Sequence, residues 1–308
     1  MRYGRPRIIL VYGVGLGDHL LCTAVFHELR KRGHRGLWMM SPHNGLFQGN
    51  GDIDAVVPDS WRYPDLVQRM GGRSYMPEYG QYDPAEDRST PIDRHLITRM
   101  CQRLDITGEI DLRPYLFLSP QERRRGQLAP KQIAIQSSIL SASLPIRNKE
   151  WFADRFGALV AELSGAFTFV QVGARTDPPV GAAIDLRGKT DLRQTAAILS
   201  QSVVFVGLVG FLMHLARAVD SRAVIVYGGR ETPQLSGYPC NENLHTAMPC
   251  SPCWYWSRCV HERACMERIG PEPVIAAIHR QAAQFGTPLE LARDDPALPL
   301  PPSRCDHD

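Results

Sequence analysis

Near its start the chain carries a pattern that few folds accept. A short, branched apolar run, Arg7-Ile-Ile-Leu-Val-Tyr12, stops at Gly13-Val-Gly15-Leu-Gly17-Asp18, and a helical period follows over 19–32. The run reads as a buried strand. Leu21, Val25 and Leu29 then recur on one helical face. Glycines between a strand and a helix let a ligand come close to the backbone, and a helix start favours negative charge. Gly13, Gly15 and Gly17 therefore form a candidate glycine loop. Asp18 at its mouth is either a helix cap or a base aimed at a bound substrate.

The alternation continues. Runs 36–40 and 54–57 read as further strands of a doubly wound sheet, and 92–104 as a helix. Residues 60–95, rich in Tyr, Gly, Pro and Asp, lack a period and read as a long loop or lid. Segment 116–130 suits a linker, with Glu122-Arg-Arg-Arg125 on a solvated helix or in the linker itself. Strands at 132–136, 167–172, 203–206 and 223–227 then alternate with helices at 151–163, 192–199 and 212–219. The expected organisation is an α/β chain of two Rossmann-like domains, 1–125 and 126–290, facing each other across a cleft, with a disordered tail over 291–308.

At 308 residues, 44% hydrophobic and 22% charged, the chain has the composition of a soluble globular protein with room for two cores. No apolar run reaches the ~18 residues that span a bilayer. The first strand is reached with no signal-peptide core before it, so a cytoplasmic protein is expected. A net charge of +3 is too small to call for nucleic acid. A nicotinamide enzyme would need an acidic residue at the end of the second strand to hold the ribose. Met40-Ser-Pro-His43 offers none.

Four of the eight cysteines, Cys250, Cys253, Cys259 and Cys265, crowd into sixteen residues. A C-x2-C pair with two more thiols nearby is the ligand arithmetic of a structural, tetrahedral site for zinc or iron. Four protein ligands would leave no open position for chemistry, and Trp254 and Trp256 would cover the site. Free core cysteines are the other reading, and the natural one for Cys22 and Cys101.

Several separated motifs, in order, resemble glycosyltransferase family 9, the heptosyltransferase-like enzymes of GT-B fold. Gly17-Asp18 ahead of a Leu-Leu-x-Thr helix resembles the family's Gly-Asp motif, whose Asp is the base. Arg147-Asn-Lys-Glu-Trp151 resembles its Lys-x-Trp segment, whose lysine contacts donor phosphates. Asp185-Leu-Arg-Gly188, Val206-Gly207 and Met213-His214-Leu215-Ala216 resemble its donor-site stretches. One departure stands out: the family's Asp-Ser/Thr-Gly ahead of the last helix is Val209-Gly210-Phe211 here.

The resemblance implies an inverting transfer of a sugar, heptose being one option, from a nucleotide-diphosphate donor such as ADP-heptose to a saccharide or protein hydroxyl. Asp18 would be the base; Ser137, Ser138, Arg147, Lys149, Gly210, Leu212, Met213 and His214 would line the donor site, without a catalytic divalent ion. Ser137 and Ser138 are otherwise turn residues, Arg147 and Lys149 a solvated helix start, and His214 a satisfied buried histidine. Gly228-Gly229-Arg230-Glu231 is either a plain turn or backbone held close to a nucleotide. Autotransporter heptosyltransferases are similar in carrying cysteine-bound iron. A homo-oligomer is compatible with the resemblance, as is a non-catalytic GT-B-like binding or assembly module whose donor site has degenerated at Val209-Gly210-Phe211.

Overall fold

The computed structural model describes residues 4–11, 13 and 15–298, so Tyr12, Val14 and the end of the expected tail, 299–308, lie outside the described residues. Four parallel strands, β1 (Ile8–Val11), β2 (Leu37–Met40), β3 (Ala55–Val57) and β4 (Arg73–Tyr75), form the first sheet in the order β3-β2-β1-β4. Strands covered on both faces read as unbroken apolar runs, and Leu37–Met40 is buried at every position. Strand β4 escaped the sequence reading because Arg73-Ser-Tyr75 is a polar edge strand. The presumed loop 60–95 also holds a helix, Arg62–Arg69, and a hairpin of β5 (Tyr82–Asp83) and β6 (Arg88–Ser89).

After β7 (Ile110–Asp111) the linker contains a short helix, Pro120–Arg125. Ser119 and Glu122 close its N-terminus as a reciprocal capping box, and none of its residues is buried. The second sheet is built from β8 (Gln132–Ile135), β9 (Thr168–Gln171), β10 (Ile184–Asp185), β11 (Val204–Leu208), β12 (Ala223–Val226) and β13 (Glu242–Leu244). All its pairs are parallel, in the order β10-β9-β8-β11-β12-β13. That is the 3-2-1-4-5-6 order of dinucleotide-binding sheets, and the first sheet follows its first four places. Strand order reverses between β1 and β4 and between β8 and β11, and ligands of such sheets sit outside the carboxyl ends at those points.

The core is not divided at the linker. One buried cluster joins Leu10, Leu20 and Phe26 of the first half to Phe205, Met213 and Tyr238 of the second. The helices Leu16–Lys31 and Phe211–Ala218 pack together, which brings the loop after β1 against the loop after β11. A separate cluster, with Ile133, Phe156, Val206, Val224 and Ile278, covers the other face of the second sheet.

The tail departs from expectation over its described part. Arg293–Asp294 forms β14, antiparallel to β7. Its polar composition is used for pairing: Thr98 Oγ1 donates to Asp294 Oδ2 at 2.7 Å, and Arg293 Nε donates to Asp111 Oδ1 at 2.9 Å. Among the described residues, no helix is long and apolar enough to cross a membrane.

Candidate active site

The helix expected to begin at His19 begins at Leu16, with Gly15 as an N-cap that makes no side-chain capping bond. Asp18 therefore sits inside the first turn and is not the cap. Its Oδ1 accepts a hydrogen bond from the Tyr79 hydroxyl at 2.8 Å. A Cβ on Gly15 would collide with Asp18 Oδ2, so glycine there is a requirement of the carboxylate's position. Burial raises the Asp18 carboxyl to about 6, against the Tyr79 hydrogen bond and the Lys149 charge, which pull it down.

Gly17 faces the second half: a Cβ there would lie 3.8 Å from both His214 Cδ2 and the Phe211 Cα. Gly13 serves differently. A Cβ on it would meet nothing within 4 Å, and its carbonyl lies 2.6 Å from His19 Nε2, whose Nδ1 is 2.8 Å from Ser41 Oγ.

Lys149 comes from a single 3-10 turn, Arg147–Lys149, and its side chain is only 12% exposed rather than solvated. Its Nζ lies 2.5 Å from Glu231 Oε1, which also receives Arg230 Nη1 at 2.9 Å. Burial lowers the Lys149 pKa, with Glu231 opposing. Burial works the other way on Glu231, yet Lys149 and Arg230 hold it down at about 2. The residue pattern gave no reason to pair Lys149 with Glu231, 82 positions apart; only the folded sheet brings them together. Arg147 is exposed.

The helix Phe211–Ala218 starts on Gly210, whose backbone is extended (φ 174°) and which makes no side-chain capping bond. Its first N–H groups thus lack the side-chain oxygen that Ser or Thr would supply. His214, one turn in, is buried with Nδ1 2.7 Å from the Tyr238 hydroxyl. Burial lowers it to about 3, helped by His95 and Lys149, so its ring is neutral. Leu212 and Met213 are core residues, and the Tyr227 hydroxyl donates to Met213 Sδ at 3.4 Å. Ser137 and Ser138 are buried after β8. Ser137 Oγ donates to the Pro178 carbonyl at 2.7 Å and accepts from Gln171 Nε2 at 3.0 Å, and Ser138 Oγ accepts from Leu140 N at 3.2 Å. Both hydroxyls brace the loop.

Cys250, Cys253, Cys259 and Cys265 line one cavity of about 210 Å³. Arg263 N donates to Cys259 Sγ at 3.2 Å. Burial raises the Cys253 and Cys265 thiols, while backbone N–H groups, from Tyr255 to Cys253 and from Gly229 and Met266 to Cys265, work against it. Among the described residues, no group of three or more His, Cys, Asp or Glu is arranged to hold a metal ion. Neither Trp254 nor Trp256 lines the cavity; Tyr255 does. Trp254 instead takes the Arg230 guanidinium at 5.3 Å, and Trp256 packs at a tilt against Tyr82, their ring centroids 4.0 Å apart. The Gly228-Gly229 turn packs on this segment: Gly228 has φ +65°, and a Cβ there would lie 2.6 Å from Met266 Cε.

Residues 139–254 match the family model "Glycosyltransferase family 9 (heptosyltransferase)", the family that the separated motifs resemble. No curated protein matches the chain by sequence. Among solved structures, the Escherichia coli ADP-heptose LPS heptosyltransferase II superposes with a TM-score of 0.68 at 14% identity, covering 91% of this chain and 100% of that one. The iron-containing dodecameric glycosyltransferase TibC of enterotoxigenic E. coli superposes with a TM-score of 0.67 at 19% identity, covering 91% and 78%. A family 9 glycosyl transferase from Veillonella parvula gives 0.63 at 16% identity, covering 92% and 99%. The fold is the GT-B fold shared by these glycosyltransferases.

Proposed function

We propose that the chain is an inverting glycosyltransferase that moves a sugar, heptose being the first option, from a nucleotide-diphosphate donor to an acceptor hydroxyl. The observation that carries this reading is Asp18: a carboxylate placed by a glycine loop at the switch point of the first sheet, raised to about 6 by burial, and under the influence of the Lys149 charge. The family match over 139–254 supports the donor side. TibC has been crystallised with ADP-D-β-D-heptose, which makes an ADP-linked heptose the first donor to try.

In this reading Asp18 takes the proton of the acceptor hydroxyl as its oxygen attacks the anomeric carbon opposite the leaving group, so configuration inverts. A base with a pKa close to the working pH combines a deprotonated population with proton affinity, and such catalysis is worth roughly 10²–10⁴-fold. The departing diphosphate would meet Lys149, Arg147 and the uncapped N–H groups at Phe211 and Leu212. Neutral His214 would contribute a hydrogen bond rather than a charge. Ser137, Ser138 and Met213 would shape the site from behind rather than touch the donor.

The same reading places a structural zinc or iron on Cys250, Cys253, Cys259 and Cys265. Backbone N–H groups directed at sulfur stabilise thiolates, and the four thiols would have to draw together around an ion that their present arrangement does not hold. Bound there, the metal would cross-link the segment and take no part in transfer. Oligomerisation and a cytoplasmic site of action belong to the proposal too, TibC being dodecameric.

A non-catalytic role has one observation in its favour. Lys149 is already neutralised by Glu231, and Val209-Gly210 replaces an acid and a hydroxyl. A thermal-shift panel of ADP-, GDP-, UDP- and dTDP-linked sugars, followed by mass spectrometry for donor turnover, separates the two. Stabilisation by one donor with release of its nucleoside diphosphate supports the enzyme. Binding without turnover in the presence of saccharide and peptide hydroxyls supports the module.

A further inference from the structure

We propose that the hairpin 82–89 is a strap that holds Asp18 in register with the donor side, and that Asp87 is its positioning residue. The inference rests on the reading of Asp18 as the base. The hairpin belongs to the first half of the chain, yet its bonds run to the cysteine-rich segment of the second. Asp87 turns it with φ +51°, a left-handed backbone that Asp tolerates better than most residues. Its Oδ2 accepts from Ser257 N at 2.8 Å and Arg258 N at 2.6 Å, and its carbonyl accepts from Trp256 N at 2.9 Å. Three acceptor contacts thus converge on one residue from one short loop.

Ser89 makes the second anchor. Its Oγ accepts from Trp256 Nε1 at 2.7 Å and from Arg230 Nη2 at 2.9 Å. Arg230 is the residue that, through Nη1, shares Glu231 with Lys149. At the other end, Thr90 N donates to the Gln81 carbonyl at 2.8 Å and closes the hairpin two residues from Tyr79. Tyr79 then donates to Asp18. A continuous path of hydrogen bonds and chain joins the carboxylate to the donor-side cation through the hairpin. Tyr79 also packs against the core cluster, and the Arg103 Nε bond to the Glu78 carbonyl at 3.1 Å holds the chain on its other side.

The test reads Asp18 directly, on the full chain and without turnover. Aspartate carboxyl resonances are followed through pH in protein labelled with ¹³C-aspartate, with Asp18 assigned by its loss in Asp18→Asn. The groups acting on Asp18 are the Tyr79 hydroxyl, Lys149 and the buried Cys22 thiol, and the variants leave the last two in place. Tyr79→Phe is expected to raise the Asp18 midpoint by roughly one to two units, the scale of one hydrogen bond to a charge. Asp87→Ala is expected to raise it by at least half as much, Tyr79→Phe/Asp87→Ala no further than Tyr79→Phe, and Asp87→Asn, which keeps an acceptor oxygen, much less. A wild-type midpoint in Asp87→Ala, an unmoved midpoint in Tyr79→Phe, or full additivity in the double variant overturns the proposal. Should Asp87→Ala fail to fold, Ser89→Ala/Trp256→Phe, which keeps an aromatic ring against Tyr82, carries the same readings. The base assignment fails separately, if Asp18→Asn keeps its turnover.

Discussion

Gly15 and Asp18 compete for one volume: the carboxylate Oδ2 occupies the space that a Cβ on residue 15 would need. Gly15 is therefore the residue that lets Asp18 point where it does. Gly15→Ala is expected to rotate the carboxylate away from Tyr79 and to reduce kcat by at least ~10²-fold, the size of a lost general base. The backbone at Gly15 is extended (φ −77°), which alanine adopts freely, so the melting temperature should move little. Steady-state kinetics beside a melting curve checks this. A large thermal loss with unchanged kcat contradicts it.

Asp18 also has a stability signature whose sign is fixed by its pKa. The carboxyl is raised from 3.8 in the unfolded chain to about 6 in the fold. Between those values the native state binds more protons, so the group's contribution falls as pH rises through that window and is lowest above it. Asp18→Asn removes the penalty and keeps an acceptor for Tyr79. It should stabilise the protein at pH 8 by about 1–3 kcal/mol, with the gain vanishing below pH 4. Urea unfolding at both pH values measures it.

Lys149→Met leaves Glu231 buried with Arg230 as its remaining cation. Breaking a buried pair by removing one partner costs about 3–5 kcal/mol, and retention of Arg230 places this case near the lower end. Lys149→Met/Glu231→Gln is expected to recover most of that stability without recovering donor affinity. Isothermal titration with the donor found by the panel separates the two effects. Recovery of donor binding in the double variant would remove Lys149 from the phosphate site.

The cysteine segment yields a compositional test. Purified protein is expected to carry about one zinc or iron per chain by elemental analysis, and Cys250→Ser/Cys253→Ser to lose it with a lower melting temperature. Metal-free wild type of equal stability returns the four thiols to an ordinary packing role.

The sheets were legible because strands buried on both faces leave unbroken apolar runs, as at Leu37–Met40 and Ala223–Val226. The glycine loop and Asp18 were legible for a similar reason: close backbone approach demands glycine at fixed positions. What was missed is polar or distant. Strand β4 and the hairpin 82–89 have no apolar period, and Arg293–Asp294 reads as tail because its pairing runs through side-chain charge. Two partners decide the electrostatics of the site, Tyr79 on Asp18 and Glu231 on Lys149, and both are set by long-range folding. A local pattern carries no trace of either.

The central claim is that Asp18 removes the acceptor proton, and the pH dependence of donor turnover in wild type and Asp18→Asn tests it most directly. With the donor identified by the panel, nucleoside diphosphate release to water or acceptor is followed from pH 4.5 to 9. The wild-type kcat/KM should fall on the acid side with a midpoint close to the Asp18 value of about 6. Asp18→Asn should run at least ~10²-fold slower with that limb gone. Turnover by Asp18→Asn at the wild-type rate, with the same acid limb, contradicts the account.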